Sequence, residues 1–113
     1  MHEYSIVQSL IGQCEEQAVQ NNATKITKVV VKIGVLSGVE VDLLKSAFET
    51  FKEGGICEDA VFIVNVQPIL IRCKECHKES ELKKNEYICP YCQSANLEVL
   101  DGEDMYLMSL EME

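Results

Sequence analysis

Two cysteine pairs constrain this chain more than any other feature. They read Cys73-Lys74-Glu75-Cys76 and Cys89-Pro90-Tyr91-Cys92, separated by residues 77–88. Each C-x2-C pair can place two sulfurs on one side of a tight turn. Two such turns facing each other form a four-sulfur tetrahedral site, the arrangement zinc prefers. The intervening loop is slightly shorter than the ~15–20 residues usual for repeated C-x2-C pairs, but it has room for two short strands. Pro90 stiffens the second turn. Four thiolates leave no position open for water, so the expected zinc is structural rather than catalytic.

The rest of the chain reads as a small α/β protein. Residues 3–20 carry Val7, Leu10, Ile11, Cys14 and Ala18 at helical spacing, and Asn21-Asn22 supply a stop. Residues 26–35 alternate as a strand, with Val29, Val31, Ile33 and Val35 on one face. Leu36-Ser37-Gly38-Val39 forms a turn. A second helix is predicted from about Val41 to Glu53, ended by Gly54-Gly55, with Leu43, Leu44, Ala47, Phe48 and Phe51 as its apolar face. Residues 60–71 are β-branched and apolar and predict one strand, broken near Pro68. Met105–Met112 alternates again and is read as a last strand returning to the main sheet. The predicted fold is α/β: a small three-stranded mixed sheet with two helices, plus an inserted zinc ribbon-like lobe. In domain terms, 1–70 and 98–113 form the α/β domain and 71–97 the zinc-binding lobe.

Composition narrows the function. The formal charge is -9. Phosphate-backbone affinity rests on Lys and Arg, so nucleic acid is not an expected partner. No apolar run approaches the ~20 residues of a membrane span, and no basic, cleavable apolar opening suggests secretion. The expected location is the cytoplasm, where thiols stay reduced and six cysteines point to metal before disulfide. Cys14 lies on the apolar face of the first helix and is read as a small core residue. Cys57 follows Gly54-Gly55-Ile56 in a connector and is expected to be exposed. His77, beside Cys76, is read as a solvated loop histidine, able to replace a thiolate if one were lost.

The chain opens Met1-His2-Glu3-Tyr4. The Met1 amine, the His2 imidazole and one or two deprotonated backbone amides can form a planar nitrogen set. Such a set suits nickel(II) or copper(II) and not zinc. Alone, a histidine at position 2 does not separate a ligand from chance.

The surrounding residues do more. Met1-His2-Glu3-Tyr4-Ser5, Val29-Val30-Val31-Lys32-Ile33-Gly34, Ser37-Gly38-Val39-Glu40 and Ser46-Ala47-Phe48-Glu49, together with the paired cysteines, resemble the HypA/HybF family over nearly the full chain. The resemblance implies a nickel metallochaperone for nickel-iron hydrogenase maturation and, in some bacteria, for urease. It implies nickel on His2 with the Met1 amine, zinc on Cys73, Cys76, Cys89 and Cys92, and Glu3 and Glu40 as neighbours of the nickel site. It implies as partners a hydrogenase-maturation GTPase, the hydrogenase large subunit and, where urease is served, urease accessory proteins. Family members often have a second knuckle containing His. Here Cys92 is followed by Gln93, so a zinc-site switch using two histidines has no support in the sequence. A carrier rather than an enzyme is expected: there is no G-x-S-x-G, and Gly34–Gly38 lacks the length and Lys of a phosphate loop. Two competing readings are a zinc-ribbon interaction module without a nickel role and a metallohydrolase. The first requires a basic stripe or aromatic platform, yet Lys74 and Lys78 alternate with Glu75 and Glu79. The second requires an open zinc position.

Overall fold

The computed structural model describes residues 3–82 and 86–113. In chain order the elements are α1 (Glu3–Gln20), β1 (Ile26–Gly34), α2 (Val41–Phe51), β2 (Val61–Gln67), β3 (Ile69–Cys73), β4 (Glu79–Leu82), β5 (Leu97–Asp101) and β6 (Met105–Met112). They build two three-stranded sheets, ordered β2-β1-β6 and β4-β3-β5. The chain divides into two compact units. One comprises residues 1–32, 39–65 and 106–113, the other residues 33–38 and 66–105.

In the first unit the periodicity of α1 becomes burial. Val7, Leu10, Cys14 and Ala18 are all 3% exposed or less, and Ile11 is half-buried. The helix ends where Asn21-Asn22 were expected to stop it. Asn22 takes φ 56°, its N–H donates to the Val19 carbonyl, and the Ala23 N–H donates to the Ala18 carbonyl at 2.8 Å. This is a Schellman motif with Asn in the left-handed position. The partners along β1 and β6 run in opposite order: Lys25 with Glu113, Lys28 with Glu111, Lys32 with Tyr106 and Gly34 with Asp104. The two strands are therefore antiparallel. Against β2 the order ascends, Ile26 with Ile56 and Val35 with Gln67, as a strand–helix–strand crossover through α2 requires. The sheet is mixed. Val29 and Val31 of β1 and Leu44, Ala47 and Phe48 of α2 are buried, and Phe48 stacks on Phe62 of β2 at 4.3 Å between centroids. Of the apolar face expected for α2, Leu43 and Phe51 are exposed, although Phe51 meets Tyr4 of α1 edge-on at 5.5 Å.

The single strand expected over residues 60–71 is two strands in two sheets. Pro68 lacks the N–H a continuous ladder needs, and beyond it Ile69 and Ile71 turn into a separate core with Leu82 and Leu97. β3 is the centre of that second sheet. It pairs antiparallel with β4 from Ile69–Leu82 to Arg72–Glu79, and with β5 through a register shift between Leu70 and Ile71. Among the described residues the loop between the cysteine pairs holds one strand, β4, rather than two. The sheet is completed by β3, leading into the first pair, and β5, following the second.

The second unit also contains a backbone interlock. The N–H groups of Gly34, Val35 and Leu36 donate to the carbonyls of Asp104, Gln67 and Gly102 at 2.9, 3.0 and 2.7 Å. A Cβ on Gly34 would lie 2.2 Å from the Gly102 carbonyl, and one on Gly102, where φ is 104°, would lie 2.9 Å from the Pro68 carbonyl oxygen. Both positions require glycine because backbone passes against backbone.

Candidate metal centre

The two C-x2-C turns have the same internal wiring. The N–H of His77 donates to the carbonyl of Cys73 at 2.9 Å, and that of Gln93 to the carbonyl of Cys89 at 2.8 Å. The N–H of Cys73 donates to the Lys78 carbonyl and that of Cys89 to the Ser94 carbonyl. Glu75 N–H points at Cys73 Sγ and Tyr91 N–H at Cys89 Sγ, both at 3.4 Å. His77 and Gln93 both take φ 63°, the left-handed turn that reverses the chain after the second cysteine. Each knuckle thus brings amide dipoles onto its first sulfur, which favours the thiolate a metal needs.

The knuckles face each other. Cys73 Sγ lies 3.4 Å from Cys92 Sγ, and Cys76 Sγ lies 3.6 Å from Cys89 Sγ. All four sulfurs are within 4.8 Å of one another. A tetrahedron of sulfurs with zinc–sulfur bonds of ~2.3 Å has edges of about 3.8 Å, so these distances fit a zinc-sized ion. Cys73 and Cys89 are fully buried, Cys76 is half-buried and Cys92 is exposed. Across the pair, Lys78 Nζ sits 4.7 Å over the Tyr91 ring, Lys74 N–H donates to the Asn96 carbonyl, and Asn96 Nδ2 donates to Glu75 Oε1.

The sulfurs differ in proton affinity. The amides of Cys76 and Glu75, with the Cys92 and Cys76 thiols, hold Cys73 below the usual thiol range. At Cys89 burial opposes ionisation, but the amides of Cys92 and Tyr91 and two neighbouring thiols bring it down to about 6. At Cys92 an amide contact from Ser94 favours the thiolate. It is outweighed by the Cys73 thiol, burial and the Cys89 and Cys76 thiols, which push it up to about 12. In the second knuckle the first cysteine, Cys89, is the readier thiolate.

The expected nickel donors, the Met1 amine and His2, lie outside the described residues. Glu3 begins α1 and is 3% exposed. Its carboxylate accepts a hydrogen bond from the Glu40 N–H at 3.1 Å. The Glu40 side chain is exposed and makes no capping bond at the start of α2. Glu3 and the Glu40 backbone are therefore joined, while the Glu40 carboxylate is not part of that contact. His77 is exposed and makes its knuckle contact through backbone. Cys57, expected in an exposed connector, is fully buried. The connector has no periodicity, so no pattern in the sequence signalled that burial.

Residues 1–112 match the family described as hydrogenase/urease nickel incorporation, metallochaperone, hypA. The chain belongs to the HypA family. The hydrogenase maturation factor HypA of Shewanella sp. strain MR-7 is 58% identical over 113 residues, covering all of this chain and 96% of the relative. Its counterpart from Aquifex aeolicus is 52% identical, covering all of this chain and 98% of the relative. Among solved structures, the nickel metallochaperone HypA from Helicobacter pylori is similar with a TM-score of 0.69 and 42% identity, over 99% of this chain and 97% of that one. A second HypA solution structure gives a TM-score of 0.75 at 43% identity, over 100% and 97%. Membership agrees with the resemblance seen in the sequence. Among the described residues no helix is long and apolar enough to cross a membrane.

Proposed function

We propose that this chain carries nickel(II) at its amino terminus and delivers it for maturation of nickel-iron hydrogenase, with urease as a second destination, while zinc holds the two knuckles together. The observation that carries this reading is family membership over residues 1–112. Two features support the division of labour. The four sulfurs converge in the second unit at zinc-like spacing. Glu3, the residue after His2, is anchored in the first unit by the Glu40 amide.

In this reading the Met1 amine and His2 imidazole form one chelate with intervening backbone nitrogens, suited to nickel(II). Zinc, when bound, supplies folding free energy rather than chemistry. Cys73, Cys76, Cys89 and Cys92 would hold it, with all four positions filled. The chain then acts as a carrier and not a catalyst. Its working partners are a hydrogenase-maturation GTPase and the hydrogenase large subunit, in the cytoplasm, with urease accessory proteins in the second role. The net charge of -9 suits cation capture and docking to a basic partner patch.

The test is a calorimetric nickel titration of the untagged chain, a form with one residue added before Met1, and His2→Ala. An added residue converts the chelating amine into a peptide nitrogen, so both altered forms lose the native nickel site and keep their zinc. Wild-type nickel affinity and stoichiometry in the extended form would place the site elsewhere.

A further inference from the structure

β6 stands at the open edge of the β2-β1-β6 sheet, paired among the described residues with β1 alone. It runs eight residues, Met105–Met112, with no Pro, Lys or Arg among them. Those are the residues that usually guard an edge against pairing with another chain. Its single charge, Glu111, is held by Lys28 Nζ at 3.3 Å. Beside this edge lies a groove of about 370 Å³, walled by Gln13, Glu16 and Gln17 of α1 and by residues 107–110 of β6. We propose that the β6 edge and this groove dock an extended segment of a partner protein that alternates apolar and basic side chains, added to the sheet as a further strand. This surface is separate from the nickel donors and does not rest on their role.

The backbone supplies the affinity. Glu113 N–H donates to the Lys25 carbonyl at 2.9 Å, and Lys25 N–H donates to the Glu113 carbonyl at 3.3 Å. In an antiparallel ladder, residues in step with such a pair bond inward, and those between them turn N–H and C=O outward. Counting back from Glu113, the outward residues are Met112, Leu110 and Met108. The side chains supply the selection. Strand side chains alternate between faces, so an added strand sends every second one into the groove beside α1. Glu16 is exposed there and is the one charged residue among those that line the groove. It is placed to receive a Lys or Arg. The remaining side chains of the added strand fall on the opposite face, next to Tyr106 and Met108, which are 46% and 55% exposed. Apolar groups there cover surface that the chain leaves in water.

Charge decides against a second copy of this chain as the occupant. Each copy carries a formal charge of -9, and edge-to-edge pairing would set acidic surface against acidic surface. A basic segment meets the opposite sign.

The probe is a synthetic peptide alternating valine and arginine, with a valine–glutamate twin, titrated into the full zinc-loaded chain at low salt. The arginine peptide should bind and slow hydrogen exchange at the amides of Met108, Leu110 and Met112. Glu16→Lys should weaken that binding about fivefold to tenfold, a gap that narrows as salt is raised. The same variant should gain affinity for the glutamate twin. The Met108 N–H faces away from β1, so Met108→Pro removes a docking donor while sparing the ladder, and it should also weaken binding. Should Met108→Pro fail to fold, the change of peptide preference in Glu16→Lys decides. The proposal is overturned if the arginine peptide does not bind, if Glu16→Lys leaves its affinity unchanged, or if the protected amides lie outside β6. It is equally overturned if sedimentation shows a dimer whose β6 amides are protected without peptide, since the edge then belongs to a second copy.

Discussion

The buried carboxylate of Glu3 accepts the backbone N–H of Glu40 across 37 residues of sequence, tying the first turn of α1 to the residue that precedes α2. A negative group at that place also faces the positive end of α2. The contact holds the first turn of α1 against the start of α2.

Glu3→Ala should therefore act twice. It strips the part-buried Glu40 amide of a charged acceptor, which costs about 1–3 kcal/mol, and it loosens the first turn of α1, next to the proposed nickel donors. Urea unfolding should show the loss. Nickel titration should show weaker binding with unchanged zinc content. Glu3→Gln keeps an acceptor oxygen and should recover most of the stability. Equal losses in the two variants would mean that the hydrogen bond is not what matters.

Zinc uptake should release fewer than four protons at pH 7. Cys89, held at about 6, is already mostly thiolate there, whereas Cys92, at about 12, must give up its proton. Below pH 6 Cys89 is protonated before binding and adds its proton to the count. The number released should therefore rise as pH falls through 6, and zinc affinity should drop more steeply on that side. Calorimetry in buffers of different ionisation enthalpy measures the count. A constant four from pH 5 to 7.5 would contradict the low value for Cys89.

Gly34→Ala should be among the most damaging single changes in the chain, at about 3 kcal/mol or more. The added carbon would lie 2.2 Å from the Gly102 carbonyl, and backbone cannot swing aside as a side-chain tip can. Gly12→Ala is the control. A Cβ there meets nothing within 4 Å, and helix propensity favours alanine by roughly 1 kcal/mol. Thermal melts of the two variants should move in opposite directions.

Gln93→Gly should be tolerated and mildly stabilising, by up to about 1 kcal/mol, because φ 63° costs a side chain more than it costs glycine. The same holds for His77→Gly, since His77 serves its knuckle through backbone. Zinc content by mass spectrometry should stay at the wild-type value in both. Loss of zinc from His77→Gly alone would give that imidazole a role beyond the turn.

Local signals carried much of this architecture. The C-x2-C spacing placed four sulfurs together because a knuckle is short enough to be set by its own residues. The stripe of α1 and its Asn21-Asn22 stop were equally local. The break near Pro68 was legible, but not that it sends the two halves into different sheets. Residues on both sides of it are β-branched and apolar, and composition does not say which sheet a strand joins. Burial of Cys57 was missed for a related reason: the turn that delivers it to the core has no period to read. The Glu3–Glu40 contact and the passage of Gly34 against Gly102 are long-range backbone matters, and a glycine in a strand gives only a hint of close approach.

The Gly34 interlock bears on how the chain is made. Residues 33–38 leave the ribosome well before Gln67, Gly102 and Asp104, whose carbonyls receive their N–H groups. The second unit cannot close until residue 104 has been synthesised, and the first waits for β6 to reach β1. Both units therefore close late, and the amino-terminal segment is translated long before either scaffold is complete. Any metal that settles on His2 during synthesis does so before the fold that later surrounds Glu3 exists.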